Sequence, residues 1–82
     1  MESKNDTYKE MNQLVKEGKK YLFKSIWEKG EDDYYFEPYE GIPIGVGSEM
    51  FVKVTKGNDV LKEGTVVGID PSEFCFLEMV EV

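Results

Sequence analysis

Residues 50–55 (MFVKVT) and 65–69 (TVVGI) decide the fold of this 82-residue chain, because both runs are short and rich in strand-forming residues. In the first run, Met50, Val52 and Val54 alternate with other residues, which predicts a strand with these three side chains facing the core. Turn-forming residues at 56–59 (KGND) and 70–73 (DPSE) follow the two runs. The sequence therefore predicts two short strands at 50–55 and 65–69.

The flanking sequence predicts further strands. A strand at 20–28 would place Tyr21, Phe23 and Trp27 on one face and Leu22 and Ile26 on the other. A turn at 29–32 would lead into a second strand at 33–37, and the two would pair as a hairpin. The last strand is predicted at 74–80.

Residues 38–48 contain two prolines and three glycines, a composition that is unfavourable in a central strand. The sequence predicts an extended crossing loop here, with an apolar edge formed by Ile42, Ile44 and Val46. This edge would either pair with a second copy of the chain or pack on the helix. We expect packing on the helix, and therefore a monomer.

An N-terminal helix is predicted at residues 6–18. Thr7 and Glu10 match the capping box that begins a helix, and Gly18 is suited to the left-handed conformation that ends one. The apolar positions of one face then follow at helical spacing: Tyr8, Met11, Leu14 and Val15.

Together these elements predict an α+β, mainly β fold in a single domain over residues 1–82, with the β region at 20–82. The N-terminal helix would precede five antiparallel strands that form a small barrel or a strongly curled sheet. We expect the core to contain Trp27, Val52, Val54, Val67, Ile69 and Phe76.

One pattern resembles a known family. Val52 and Val54 followed by Gly57, and then Gly64, Val66 and Ile69, resemble the KOW-type pattern of small Src-homology-3-like barrels in transcription and ribosomal proteins. The resemblance implies a small β-barrel. It also implies contact with nucleic acid through basic residues.

The net charge of −7 disfavours binding to nucleic acid or to an anionic membrane, since both would repel the protein. A basic partner is expected instead. The single cysteine, Cys75, lies between two phenylalanines and is interpreted as a buried strand residue in a reducing compartment. Without a signal-peptide core or a long apolar run, the sequence is typical of a cytoplasmic protein.

The residue types present argue against catalysis. The chain has no histidine, which removes the commonest general base and the serine and cysteine triads. One cysteine without histidine also argues against a zinc or transition-metal site, and no phosphate-binding glycine loop is present. We therefore expect no enzymatic activity, no metal and no cofactor.

The stretch most typical of a binding site is residues 31–40 (EDDYYFEPYE), here called the acidic-aromatic segment, which holds five carboxylates and four aromatic rings. Carboxylates attract basic side chains, and arginine also stacks on tyrosine rings. A plainer interpretation is a solvated hairpin, with Tyr34 and Phe36 in the core and Tyr35 and Tyr39 on its rim. The candidate partner-binding residues are Glu31, Asp32, Asp33, Tyr35, Glu37, Tyr39 and Glu40.

Two functions follow as hypotheses. The first is a non-enzymatic acidic module that binds a basic protein surface, including that of a nucleic-acid-binding protein, as an inhibitor or nucleic-acid mimic of the kind that phages encode. The second is a KOW-like component of a transcription or translation assembly, which contacts nucleic acid through Lys16, Lys19, Lys20 and Lys24. The distribution of these lysines discriminates the two: a segregated basic face favours the second, and dispersal among acids favours the first.

Overall fold

The computed structural model describes residues 11–82, which form a mainly β fold with five antiparallel strands in one sheet. The sheet order is β4-β3-β2-β1-β5, so that the last strand lies beside the first. A helical turn at Pro71–Phe74 connects the two outer strands. The strands are β1 (Tyr21–Ser25), β2 (Tyr39–Val46), β3 (Met50–Lys56), β4 (Val66–Ile69) and β5 (Leu77–Glu81).

The two runs that decide the fold form β3 and β4, as predicted. Met50, Val52 and Val54 of β3 are buried, whereas Phe51 and Lys53 between them are exposed. Buried and exposed side chains alternate in this way along a strand that packs one face on the core.

The predicted crossing loop at 38–48 is wrong, because most of it forms β2, which lies between β1 and β3. Pro43 is tolerated in this central strand because the register shifts between Pro43 and Gly45. Proline has no N–H to donate to the neighbouring strand, and an irregular register accommodates this missing hydrogen bond. Gly41 allows close strand packing, since a Cβ there would lie 2.5 Å from Val52 Cγ1. The proposed apolar edge is therefore internal to the sheet, although Ile44 remains 52% exposed.

The predicted hairpin is also wrong. The first strand is shorter than expected and ends at Ser25, and residues 33–37 form turns and irregular backbone instead of a strand. The backbone N–H of Tyr34 donates to the Asp32 carboxylate at 2.8 Å, and that of Glu28 donates to the Glu31 carboxylate at 2.6 Å. Hydrogen bonds from backbone N–H groups to nearby side chains compete with the backbone hydrogen bonds that would join two strands.

The last strand begins three residues later than predicted, at Leu77, because the helical turn takes up Phe74. Asp70 caps this turn by accepting from the N–H of Glu73 at 3.0 Å, and Pro71 occupies its first position. Cys75 follows the turn and is exposed, so its assignment as a buried strand residue is wrong.

Part of the predicted helix at 6–18 lies outside the described residues. Residues 11–14 are helical, and the N–H of Val15 donates to the Met11 carbonyl at 3.1 Å. Met11 and Val15 are buried, as expected for the apolar face, but Leu14 is 66% exposed. The helical residues end at Leu14, so the predicted helix end at Gly18 is wrong, although Gly18 does have a left-handed φ of +84°.

The core lies on one face of the sheet. Val52, Val54 and Ile69 are buried as predicted, and Val67 is half-buried against them. Trp27 and Phe76 are not core residues: Phe76 is 44% exposed, and the two rings stack on each other with centroids 5.2 Å apart. The buried hydrophobic residues within 11–82 are Met11, Val15, Tyr21, Phe23, Tyr39, Met50, Val52, Val54 and Ile69.

Helices within the described residues are all too short or too polar to cross a membrane.

We predict that Val54→Asp unfolds the domain. Val54 is 1% exposed, and burial of an unpaired carboxylate costs several kcal/mol, which is comparable with the whole stability of a domain this small. The matched control is Val66→Asp, the same substitution at a valine that is 51% exposed. Thermal unfolding followed by circular dichroism should show a transition for the control only. A Val54→Asp protein that melts at the wild-type temperature would contradict the core assignment.

Candidate functional site

A cleft of about 640 Å³ lies between three connecting segments of the described residues. Its walls are the end of the acidic-aromatic segment, the loop at 57–64 between β3 and β4, and the region around the helical turn. This volume lies within the roughly 300–1,000 Å³ that is usual for ligand pockets. The lining residues are Lys29, Tyr34, Tyr35, Phe36, Glu37, Tyr39, Asn58, Asp59, Val60, Leu61, Val67, Ile69, Glu73, Phe76 and Leu77.

Asn58 connects two walls of the cleft. Its side-chain Nδ2 donates to the Glu37 carbonyl at 2.6 Å, which ties the loop to the acidic-aromatic segment. Its Oδ1 accepts from the N–H groups of Val60 and Leu61 at 2.9 and 2.8 Å, which fixes the loop itself. The sequence predicts Asn58 only as a turn residue. An asparagine side chain can both donate and accept hydrogen bonds, and this capacity was the sequence signal for its connecting role.

Tyr39 forms part of the floor of the cleft and part of the core. It is 5% exposed, and its ring stacks on that of Phe23 with centroids 5.1 Å apart and planes inclined by 13°. The ring centroid of Phe36 lies 5.7 Å from that of Tyr39. The prediction that Tyr39 covers the rim is therefore wrong, because this ring is held in the interior by two aromatic neighbours.

A second aromatic group surrounds Trp27. The Trp27 ring stacks on Phe76 and also contacts Tyr34, whose ring centroid lies 6.3 Å away. Phe76 and Tyr34 both line the cleft, and Tyr34 is 77% exposed, so its expected place in the core is wrong. The contact with Trp27 holds two of the lining rings outside the main core.

The charged groups that line the cleft are mostly acidic. Glu37, Asp59 and Glu73 each come from a different wall, and Lys29 is the cation that lines it. The Lys29 ammonium lies 3.7 Å from Glu37 Oε1, with its side chain 81% exposed. The cleft thus combines an apolar floor with a rim of net negative charge.

Two lining tyrosines have raised pKa values. Desolvation, together with the charge of Glu37 and a hydrogen bond to that carboxylate, raises the pKa of Tyr35. Burial, with a smaller effect of the Glu73 carboxylate, raises the pKa of Tyr39 to about 12. Both tyrosines therefore stay neutral at pH 7 and present no further charge to a ligand.

The structure brings only some of the predicted site residues together. Tyr35, Glu37 and Tyr39 line the cleft. The carboxylates of Glu31 and Asp32 stabilise local turns, and neither they nor Asp33 line it. Glu40 lies in β2, opposite Lys56 of β3.

Sequence reasoning missed the walls supplied by distant segments. Asp59, Val60 and Leu61 follow β3, whereas Glu73 and Phe76 lie between β4 and β5. A rim of single acids contributed by separate loops leaves no local pattern. Within residues 11–82, no group of three or more His, Cys, Asp or Glu residues is placed to hold a metal ion.

No protein-family model, no curated protein and no solved structure matches this chain.

The raised pKa of Tyr39 predicts a loss of stability at alkaline pH. Its value of about 12 exceeds the ordinary 10.0, so the unfolded chain loses this proton first as the pH rises. The stability that the protonated, buried Tyr39 contributes is complete below pH 10 and is lost as the pH rises through 12. Between pH 9 and 11, the unfolding free energy of wild type should fall relative to Tyr39→Phe by about 1 kcal/mol.

Urea unfolding of both proteins at each pH measures this difference. The control is Tyr34→Phe, because Tyr34 is 77% exposed and loses little burial on folding. If wild type and Tyr39→Phe lose stability in parallel between pH 9 and 11, the buried position of the Tyr39 hydroxyl is wrong.

Proposed function

We propose that this protein is a non-enzymatic binding module whose cleft engages a basic surface of a partner protein. The observation that carries the proposal is the convergence of Glu37, Asp59 and Glu73, from three separate segments, around one apolar cleft. An apolar floor gains free energy by burial, and a charged rim selects the partner and speeds encounter. The net charge of −7 adds long-range attraction toward a basic protein.

A partner that binds nucleic acid through the same basic surface would be inhibited by this protein, because the two ligands would compete. Such competition fits the role of inhibitor or nucleic-acid mimic. Carboxylates on a rigid frame take the place of phosphates in this role.

The proposal also includes a more specific fold, in which the five strands form a small Src-homology-3-like barrel. Val67 and Ile69 of β4 and Leu77 of β5 line the same cleft, although β4 and β5 are the outer strands of the sheet. In a flat sheet of five strands, the outer strands would lie about 19 Å apart. Curling of the sheet explains how they share a cleft, and the compact connection through the helical turn supports it.

The arrangement of the lysines weighs against the nucleic-acid alternative. The Lys19 ammonium lies 3.6 Å from Glu81 Oε1, and Lys24 is opposite Glu78 in the pairing of β1 with β5. Lys16 and Lys20 are exposed, and Lys16 is followed directly by Glu17 in the sequence. Interleaved charges of this kind do not form the basic face that phosphate binding requires.

We predict that reversing cleft acids weakens partner binding more than reversing acids elsewhere. The double variant Asp59→Lys and Glu73→Lys alters the rim, whereas Glu63→Lys and Glu78→Lys alters exposed residues that do not line the cleft. Both variants change the net charge from −7 to −3. Loss of two rim contacts should weaken binding by roughly tenfold, or about 1.4 kcal/mol, beyond the control.

The measurement begins with affinity capture from the source cell and mass spectrometry, followed by binding kinetics with the captured protein. The association rate should fall with ionic strength, because salt shortens the Debye length from about 10 Å at 0.1 M to about 3 Å at 1 M.

Tyr35→Ala should speed dissociation, since it removes an aromatic contact from the cleft. Equal affinities of the two double variants for a basic partner would rule out the cleft as the binding site.

A further inference from the structure

The chemistry of the cleft also restricts which basic side chain it accepts, if the proposed function holds. An occupant must bury an apolar portion against Leu61, Val67 and Leu77 while its charge reaches the rim. Both lysine and arginine have an apolar stem that suits such a floor. The distinction between them lies in the rings and the carboxylates.

Aromatic rings line the cleft beside the acids. Tyr34, Tyr35, Phe36 and Phe76 all contribute, and two of them are held by Trp27. A planar guanidinium stacks on an aromatic face while its edge still donates hydrogen bonds. A compact, strongly hydrated ammonium group cannot form both contacts with the same geometry.

The rim offers acceptors in several directions. Within the described residues, neither Asp59 nor Glu73 forms an ion pair, and both residues line the cleft. A guanidinium has five N–H donors and can bond to a carboxylate with two parallel hydrogen bonds. Three acids on three walls therefore match a side chain with several diverging donors better than one with a single point charge.

Lys29 marks the place of a cation in the cleft. Its ammonium lies 3.7 Å from Glu37 Oε1, and its high exposure means that the pair contributes little stability. A cation from a partner can therefore replace Lys29 at Glu37 at small cost.

We infer that the cleft accepts an arginine side chain of the partner together with an adjacent apolar side chain, and that it selects arginine over lysine. The volume of about 640 Å³ leaves room for the apolar neighbour beside the guanidinium. The occupant is thus a protruding protein segment in which arginine stands next to a residue such as leucine.

The experiment uses pools of acetylated and amidated hexapeptides in which position three is Arg or Lys and position four is Leu or Ser, with the other positions mixed. Trp27 is the single tryptophan and contacts two lining rings, so its fluorescence reports binding to the full-length protein. The Arg-Leu pool should bind at least fivefold more tightly than the Lys-Leu pool and the Arg-Ser pool. Shifts of the Asn58 side-chain amide signals in NMR spectra would place the peptides in the cleft.

Equal binding of the Arg-Leu and Lys-Leu pools, or no binding of either, overturns the selection of arginine. The proposed function is judged separately, by the captured partner and the two charge-reversal variants. A partner that depends on Asp59 and Glu73 would keep the proposed function even if the peptide pools showed no preference.

A second variant tests the place of the guanidinium. Lys29→Ala should strengthen binding of the Arg-Leu pool about twofold to threefold, because it frees Glu37. Lys24→Ala makes the same change in net charge on β1, away from the cleft. Equal effects of the two variants would overturn the assignment of Glu37 to the guanidinium.

Discussion

The stack of the Phe23 and Tyr39 rings is the interaction on which both the core and the cleft depend. Phe23 lies in β1 and Tyr39 begins β2, and the two residues are partners in the antiparallel register. Their rings fill the core beneath the sheet, while the Tyr39 ring also closes the floor of the cleft. Because one contact serves both, the shape of the cleft is set by the packing of the domain.

The strands with regular alternation could be predicted from the sequence. The apolar alternation of β3 and the β-branched residues of β4 are local patterns, and the structure contains both strands close to their expected bounds. β2 could not be predicted because Pro43 and Gly41 are unfavourable in isolated strands. Their presence is explained only by tertiary features: a register shift after Pro43, and close approach of Val52 at Gly41.

The candidate site was predictable only in part. The acidic-aromatic segment is conspicuous in sequence, and it supplies one wall of the cleft. The opposite walls come from residues 20 to 40 positions later, which the sheet order brings into place. Glu31 and Asp32 also have a local role that the sequence pattern does not reveal, because turns in an irregular connection need acceptors for their own N–H groups.

The three walls of the cleft are largely the connections between β1 and β2, between β3 and β4, and between β4 and β5. Connections of this kind tolerate substitution and insertion far better than the ladder that they join. The lining of the cleft can therefore change by substitution while the strands stay nearly constant. The fold largely separates the residues that stabilise the sheet from those that line the cleft, with Tyr39 and Ile69 belonging to both groups.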